Sequence, residues 1–327
     1  MKYNSLGRTG AQVSNLCLGA MTFGWKTEED EAFRIVDRFM EAGGNFVDTA
    51  NVYGRGKSEI ITGKALARDG KRDRIFLATK AHGKMNDDDP NAWGNHAFNI
   101  IRACEASLQR LGADHIDLYQ IHRPQSSIPI DETLRALDHL VRSGKVRYIG
   151  TSTYAAWQVL ESLWVSKEYG LSRFVTEQPP YNILDRRIER ELIPLSQSYG
   201  IGIIPWSPLA GGKLTGKYKR DQAAPDNSRE DPAKFAEGTW KALEGLDTIS
   251  QEKGVTPTAF ALAWLNAMPG VTSPIIGPNS VAQLEDNLAA SEVEITDEDK
   301  KRVDALVAPG THVEDYYKAD FGPNARW

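Results

Sequence analysis

The chain has 327 residues, with 41% hydrophobic and 25% charged side chains, a net charge of −5 and a pI of about 5.8. That balance is ordinary for a folded globular protein, and a chain of this length can bury a large core without metal or disulfide. It excludes a broadly basic surface for nucleic acid or anionic membrane.

The elements follow one another in a regular pattern. The opening YNSLGRTGAQVS reads as a small hairpin, a plug for the floor of whatever follows. Eight short apolar runs come next, at 14–21, 43–50, 74–80, 115–122, 146–152, 173–180, 200–207 and 273–278. Several are continuous and bounded by glycine or charge, as strands buried on both faces are. Between them lie helical stripes: Phe33, Val36 and Met40; Ile101, Cys104, Leu108 and Leu111; Leu134, Leu137 and Val141; Ile188, Leu192, Leu195 and Tyr199. Each covers one face of a sheet. Thr256-Pro257 reads as a helix start by proline at the first helical position, and Ser280 with Gln283 as a capping box. Cys17 and Cys104 sit inside apolar stretches and read as buried reduced thiols. The first residues lack the apolar core of a secretory signal, and no apolar run reaches about 18 residues; both point to a cytoplasmic protein with no membrane partner.

Strands alternating with helices predict an α/β fold, a (β/α)8 TIM barrel occupying 1–327 as one domain. A doubly wound sheet is the alternative, but the first strand runs into LGAMTFGWK rather than the glycine-rich fingerprint such sheets carry. Two stretches exceed ordinary loop length, roughly 207–238 and the tail from about 309. In a barrel they would be lids at the C-terminal mouth.

The mouth of a barrel is where strand C-termini converge. Polar or aromatic residues close the runs there: Asp48, Lys80, His122, Ser152, Gln178 and Trp206-Ser207. Any one of them has a plain structural reading, since strands often end in a polar residue. Tyr53 follows Asp48 in DTANVYGRGKSE, where Gly54 and Gly56 allow a tight turn that holds it over the mouth. A free tyrosine ionises too high for efficient proton exchange at neutral pH; an ammonium nearby favours the phenolate, and a buried ammonium needs a carboxylate. Lys80 and Asp48 supply that pair, and His122 can orient a substrate oxygen or relay a proton. The set suits carbonyl reduction; no nucleophile with its base and no carboxylate pair is apparent.

At these residues the chain resembles the aldo-keto reductase superfamily, with LGRTG, GGNFVDTANVYGRGKSE, RIFLATK, DLYQIHRP, YIGTS, EQPPYN, PWSPLAGGKLTGKY and IIGPNSVAQLEDN in family order. Its opening and long loop look most like the bacterial and potassium-channel-β-like branches. The resemblance implies Asp48, Tyr53, Lys80 and His122 as the catalytic tetrad, Tyr53 as general acid, hydride from a nicotinamide cofactor, and no metal. It implies cofactor contacts from Met21, Asp48, Ser152, Thr153, Gln178 and Trp206, the last stacking on the nicotinamide. Ser207, Leu209, Gly211 and Lys213 match the pyrophosphate segment, and Gly277, Asn279, Gln283, Asp286 and Asn287 the adenosine end. NADP(H) is the favoured cofactor; neutral Asn279, where many relatives carry Arg or Lys, leaves NAD(H) as the alternative. Substrate-facing candidates are Met21, Trp25, Tyr53, Trp93 and His122, with Tyr316, Tyr317 and Phe321 in the tail. The substrate is an aldehyde or ketone, with sugar and aryl carbonyls among the candidates, and the protein a monomer or homo-oligomer. The alternatives are a non-catalytic nicotinamide-binding regulatory subunit and an alcohol or sugar dehydrogenase working in the oxidative direction.

Overall fold

A computed structural model describes residues 1–224 and 228–313. The tail aromatics Tyr316, Tyr317 and Phe321 lie outside the described residues.

A hairpin of β1 (Tyr3–Ser5) and β2 (Gln12–Ser14) precedes an eight-stranded parallel sheet. Its strands are β3 (Cys17–Gly19), β4 (Phe46–Asp48), β5 (Phe76–Ala81), β6 (Ile116–Ile121), β7 (Val146–Ser152), β8 (Phe174–Gln178), β9 (Gly202–Ile203) and β10 (Ile275–Ile276). Each lies within one of the runs expected to be strands, apart from the last residue of β5. The order β10-β3-β4-β5-β6-β7-β8-β9 leaves β9 and β10 as neighbours without a regular ladder. Single bonds close that seam: Thr272 N–H to Ile203 O at 2.7 Å and Ile275 N–H to Pro205 O at 2.8 Å. The result is the expected (β/α)8 barrel.

The hairpin is the expected plug. Leu6 and Val13 are fully buried and pack with Cys17, Phe46, Ala78, Leu118, Val175 and Ile204, which close the barrel interior from below. Apolar side chains fill this lower layer, so the polar residues above it are cut off from water on that side.

Helices α1 (Glu29–Glu41), α2 (Lys57–Ala67), α3 (Ala97–Leu111), α4 (Ile130–Arg142), α5 (Ala156–Tyr169) and α6 (Leu192–Tyr199) connect successive strands. The buried faces are rotated slightly from those expected. On α1 the deep residues are Ala32, Ile35, Val36 and Phe39, with Phe33 and Met40 at the edge. On α6 they are Leu192, Ile193 and Ser196, while Tyr199 is exposed. After β9 come α7 (Glu237–Lys253) and α8 (Pro257–Asn266), and after β10 come α9 (Val281–Leu288) and α10 (Asp297–Leu306). Thr256 accepts from the Ala259 N–H at 3.1 Å and Pro257 follows it, so α8 starts as expected. At α9, Ser280 accepts from the Gln283 N–H at 3.3 Å, but Gln283 Oε1 reaches past the cap to the Asn279 N–H at 2.8 Å.

The described residues of the stretch after β9 are packed against the barrel. Leu214, Tyr218, Phe235 and Trp240 form a second apolar cluster with Phe260 and Trp264 of α8. Its apolar burial fixes the long segment against the barrel side and leaves its early residues over the mouth.

Glu177 of β8 is fully buried beside the site described below. Burial pushes its carboxyl up to about 8, only partly offset by hydrogen bonds such as that from the Tyr154 N–H. The folded chain therefore keeps a proton there that the unfolded chain has lost, between about pH 4.5 and about pH 8. Stability from this group is present below that interval and declines as pH rises through it. Glu177→Gln keeps the amide-accepting oxygen and removes the ionisation. Thermal melts should show the variant gaining several degrees on the parent at about pH 9 and little at about pH 5. Equal gaps at the two pH values would contradict this.

Candidate active site

Asp48 ends β4 with its side chain inside the barrel, and Lys80 lies one strand over. Both are buried. The Lys80 ammonium donates to Asp48 Oδ2, to Thr49 O at 2.8 Å and to Tyr53 Oη at 3.5 Å, so its three protons have three acceptors. Burial alone would push Lys80 down; the charge of Asp48, the facing phenol and their hydrogen bonds outweigh it and hold the ammonium above its ordinary value. The other Asp48 oxygen accepts from Gln120 Nε2 at 3.0 Å and Gln178 Nε2 at 3.2 Å. A buried carboxylate thus has an ammonium and two amides, the satisfaction a buried charge requires.

Tyr53 sits at the start of a short helical turn, Tyr53–Gly56. Gly54 (φ +55°) and Gly56 (φ +96°) adopt left-handed conformations as expected, and Arg55 (φ +53°) does so as well. A side chain at Gly56 would also displace the Arg110 side chain, whose Cδ would lie 2.6 Å away. The turn brings the Tyr53 ring edge-to-face with His122, centroids 5.6 Å apart. Burial, then the positive charges of Lys80, Arg123 and His82, hold His122 well below the ordinary imidazole range. At neutral pH it is an uncharged imidazole that can position an oxygen but carries no ionic proton.

The rim beyond is strained. Thr153 (φ +64°), Ser207 (φ +53°) and Ala210 (φ +49°) have left-handed backbones, and for a β-branched threonine this is a true outlier. Such strain costs of order 1–3 kcal/mol per residue and collects at functional sites. Ser152 Oγ donates to Gln178 O at 2.9 Å, linking the ends of β7 and β8. Arg123 ties the arc together, donating to His122 O at 2.7 Å and to Thr153 Oγ1 at 3.1 Å, with its guanidinium 5.9 Å from the Trp206 ring centre.

A cavity of about 1100 Å³ opens above these groups. Of the residues expected to bind cofactor, Met21, Asp48, Ser152, Gln178, Trp206, Ser207, Leu209, Gly211, Gly277, Asn279, Gln283, Asp286 and Asn287 line it. Tyr53 and His122 line it too, with Lys80 directly beneath. Thr153 is not on the wall but touches Arg123, which is. Lys213 is buried off the wall, its ammonium 3.4 Å from Glu230 and 5.0 Å from the Phe235 ring centre. Trp25 lines an adjoining smaller cavity with Tyr53. Trp93 lines neither and packs edge-on to His82.

Four contributing side chains, Gln120, Arg123, Lys217 and Arg229, were not expected from the sequence. Gln120 alternates inward with Leu118 and His122 on β6, and strand periodicity from His122 backwards would have found it. Next to it on β7, Gly150 has no space for a side chain, which would lie 2.2 Å from Thr176 Oγ1. Arg123, next to His122, carries no periodic signal. Lys217 and Arg229 reach the wall from the long segment after β9. The wall thus bears Lys26, Arg123, Lys217 and Arg229 against Asp48 and Asp286, a cationic balance suited to phosphate. Asn279 Oδ1 is a buried acceptor with no hydrogen-bond partner among the described residues, as a donor-bearing ligand would require. Among the described residues no cluster of His, Cys, Asp and Glu could hold a metal, and no helix is long and apolar enough to cross a membrane.

The aldo/keto reductase family model matches residues 15–308. The chain is 40% identical to the uncharacterized oxidoreductase YrpG of Bacillus subtilis, over 97% of this chain and 99% of that protein. It is 37% identical to a probable voltage-gated potassium channel subunit beta of Arabidopsis thaliana, covering 90% and 92%. It is 36% identical to the norsolorinic acid reductase stcV of Emericella nidulans, covering 89% and 77%.

Proposed function

The chain belongs to the aldo/keto reductase family and is an oxidoreductase; from that premise we propose that it reduces an aldehyde or ketone to the alcohol with NADP(H), NAD(H) being the alternative, and that Tyr53 delivers the proton. A bound nicotinamide supplies hydride to the carbonyl carbon. The observation that carries the reading is the buried ammonium of Lys80 between Asp48 and the Tyr53 oxygen, beside a neutral His122. Tyr53 gives its proton to the carbonyl oxygen as negative charge grows there. The phenol oxygen left behind faces Lys80, whose charge is in place beforehand and needs no reorganisation. Asp48 keeps that charge where it is. His122 orients the substrate oxygen. In the oxidative direction the same groups act in reverse, with Tyr53 accepting the proton, so reaction direction follows substrate supply rather than a different site.

The cofactor contacts follow from the wall. Gln178 has committed its amide protons to Asp48 and Gln120, so what it offers a carboxamide is its oxygen. Ser152 stands beside it, and Trp206 presents a ring to the nicotinamide. Ser207, Leu209 and Gly211 line the pyrophosphate position, with Lys217 and Arg229 as the cations there in place of Lys213. Gly277, Asn279, Gln283, Asp286 and Asn287 hold the adenosine end.

Asn279 gives the clearest handle on cofactor choice. Asn279→Arg adds a charge-assisted partner for a ribose phosphate, and such bonds are about twice as strong as neutral ones. Tryptophan-fluorescence titration should show NADPH binding about tenfold tighter in the variant, with NADH changed less than about threefold. Equal shifts for both cofactors would place the ribose phosphate away from residue 279. A side-by-side titration of the parent with NADPH and NADH, followed by a panel of aldehydes, ketones and sugars, tests the overall reading. Quenching without turnover of any carbonyl or alcohol would instead favour a regulatory nicotinamide-binding role, to which the similarity with a potassium channel subunit beta gives weight.

A further inference from the structure

A side arm of about 430 Å³ adjoins the main cavity and shares Met21, Val52 and Tyr53 with it. None of the residues at the adenosine or pyrophosphate positions lines it. A carbonyl held at Tyr53 therefore has space for one substituent along the side arm.

The arm is built from two rigid pieces. Trp25, 60% exposed, rides on a knotted loop in which the N–H groups of Trp25 and Lys26 both donate to Thr22 O at 3.0 Å and Gly24 N–H donates to Thr27 O at 2.9 Å. Thr22 and Thr27 hydroxyls bond each other at 3.0 Å inside that loop. The indole is thus presented by a fixed backbone, not by a free segment. Opposite it is Lys57, at the start of α2. Gly24 (φ +75°) and Gly54 (φ +55°) come from separate loops, and a side chain at either would lie 3.2 Å from Lys57 Cβ. The two glycines leave a channel for the lysine stem and confine it between them.

The charge balance is one-sided. Among the described residues, neither Lys26 nor Lys57 has a carboxylate within ion-pair distance, whereas nearby Arg55 pairs with Asp87 and Lys64 with Glu29, both at 2.8 Å. Lys26 lies 5.0 Å from the Trp25 ring centre and makes that face cationic as well. An aromatic wall, an apolar valine and an exposed ammonium on a stem held between two glycines make complementary contacts with a flat ring bearing negative charge.

We propose that the side arm selects aryl carbonyl substrates with an anionic group on the ring, the ring lying against Trp25 and Val52 and the anion meeting Lys57. This rests on reduction taking place at Tyr53. Its test compares kcat/KM for 4-carboxybenzaldehyde, its methyl ester, benzaldehyde and propanal. The parent should prefer the carboxylate over the ester by about fivefold at low salt, and the preference should shrink as salt is added. Lys57→Met should bring that ratio to about one, and Lys57→Glu should invert it. Trp25→Ala should lower benzaldehyde relative to propanal by about fivefold. A ratio that is the same in the parent and in both Lys57 variants would overturn the proposal. If no aldehyde is turned over at all, it is the reduction reading that has failed; equilibrium binding of 4-carboxybenzyl alcohol then decides the side arm. Binding weakened about fivefold by Lys57→Met and restored by Lys57→Arg supports it, and binding indifferent to residue 57 overturns it.

Discussion

Tyr53→Phe should lose aldehyde reduction by roughly 10³-fold while binding NADPH almost as tightly as the parent. Phenylalanine keeps the ring that packs against His122 at 5.6 Å and stands 5.1 Å from the Lys80 ammonium, so the turn and cavity wall stay as they are. Only the hydroxyl is removed. No neighbour replaces it as acid: His122 is held uncharged by burial and by the positive groups around it, and the Asp48 carboxylate beside Lys80 favours its keeping the proton. The same environment predicts that activity shows no inflection near the ordinary histidine range. Folding stability should show one, because His122 protonates in the unfolded chain and not in the folded one. The stability it contributes is full above about pH 6.5 and falls as pH drops below that value. Steady-state rates and a cofactor titration of the same preparation separate loss of chemistry from loss of binding.

Lys80→Met should abolish turnover to a similar degree and also destabilise the fold by about 3–5 kcal/mol, since it strands the Asp48 carboxylate in the barrel. The two amides from Gln120 and Gln178 would remain, but they do not balance a charge. The stranded carboxyl would take up a proton, so the deficit should grow as pH rises. Asp48→Asn combined with Lys80→Met removes both charges and should recover most of the stability, with turnover still lost. Thermal melts of the single and double variants across pH check the first part; rates check the second. A double variant as unstable as Lys80→Met alone would mean that the pair matters for packing rather than charge.

Much of this was legible in the residues. The strands announced themselves as apolar runs because both faces of a barrel strand are covered, and the side chains that close them had to be polar because they meet at an open mouth. Asp48, Lys80, His122, Ser152, Gln178 and Trp206 were visible for that reason. Strand ends were less so. The run at 200–207 yields a ladder of only Gly202–Ile203, since Pro205 has no N–H to offer the next strand. Residues whose role depends on distant partners left no local mark. Arg123 acts by bridging the ends of three strands, and Lys213 is drawn off the wall by Glu230, far along the chain. The strain at Thr153 is likewise set by what surrounds the turn, not by its own sequence.

Proton delivery by Tyr53 is tested most directly in a single turnover. Enzyme in excess is loaded with a limiting amount of NADPH, and benzaldehyde is then added while bound nicotinamide absorbance is followed. Rapid, complete loss of the reduced cofactor signal is expected in the parent, with one benzyl alcohol formed per cofactor, and a signal that persists in Tyr53→Phe. Equal rates of loss in the two proteins would contradict it.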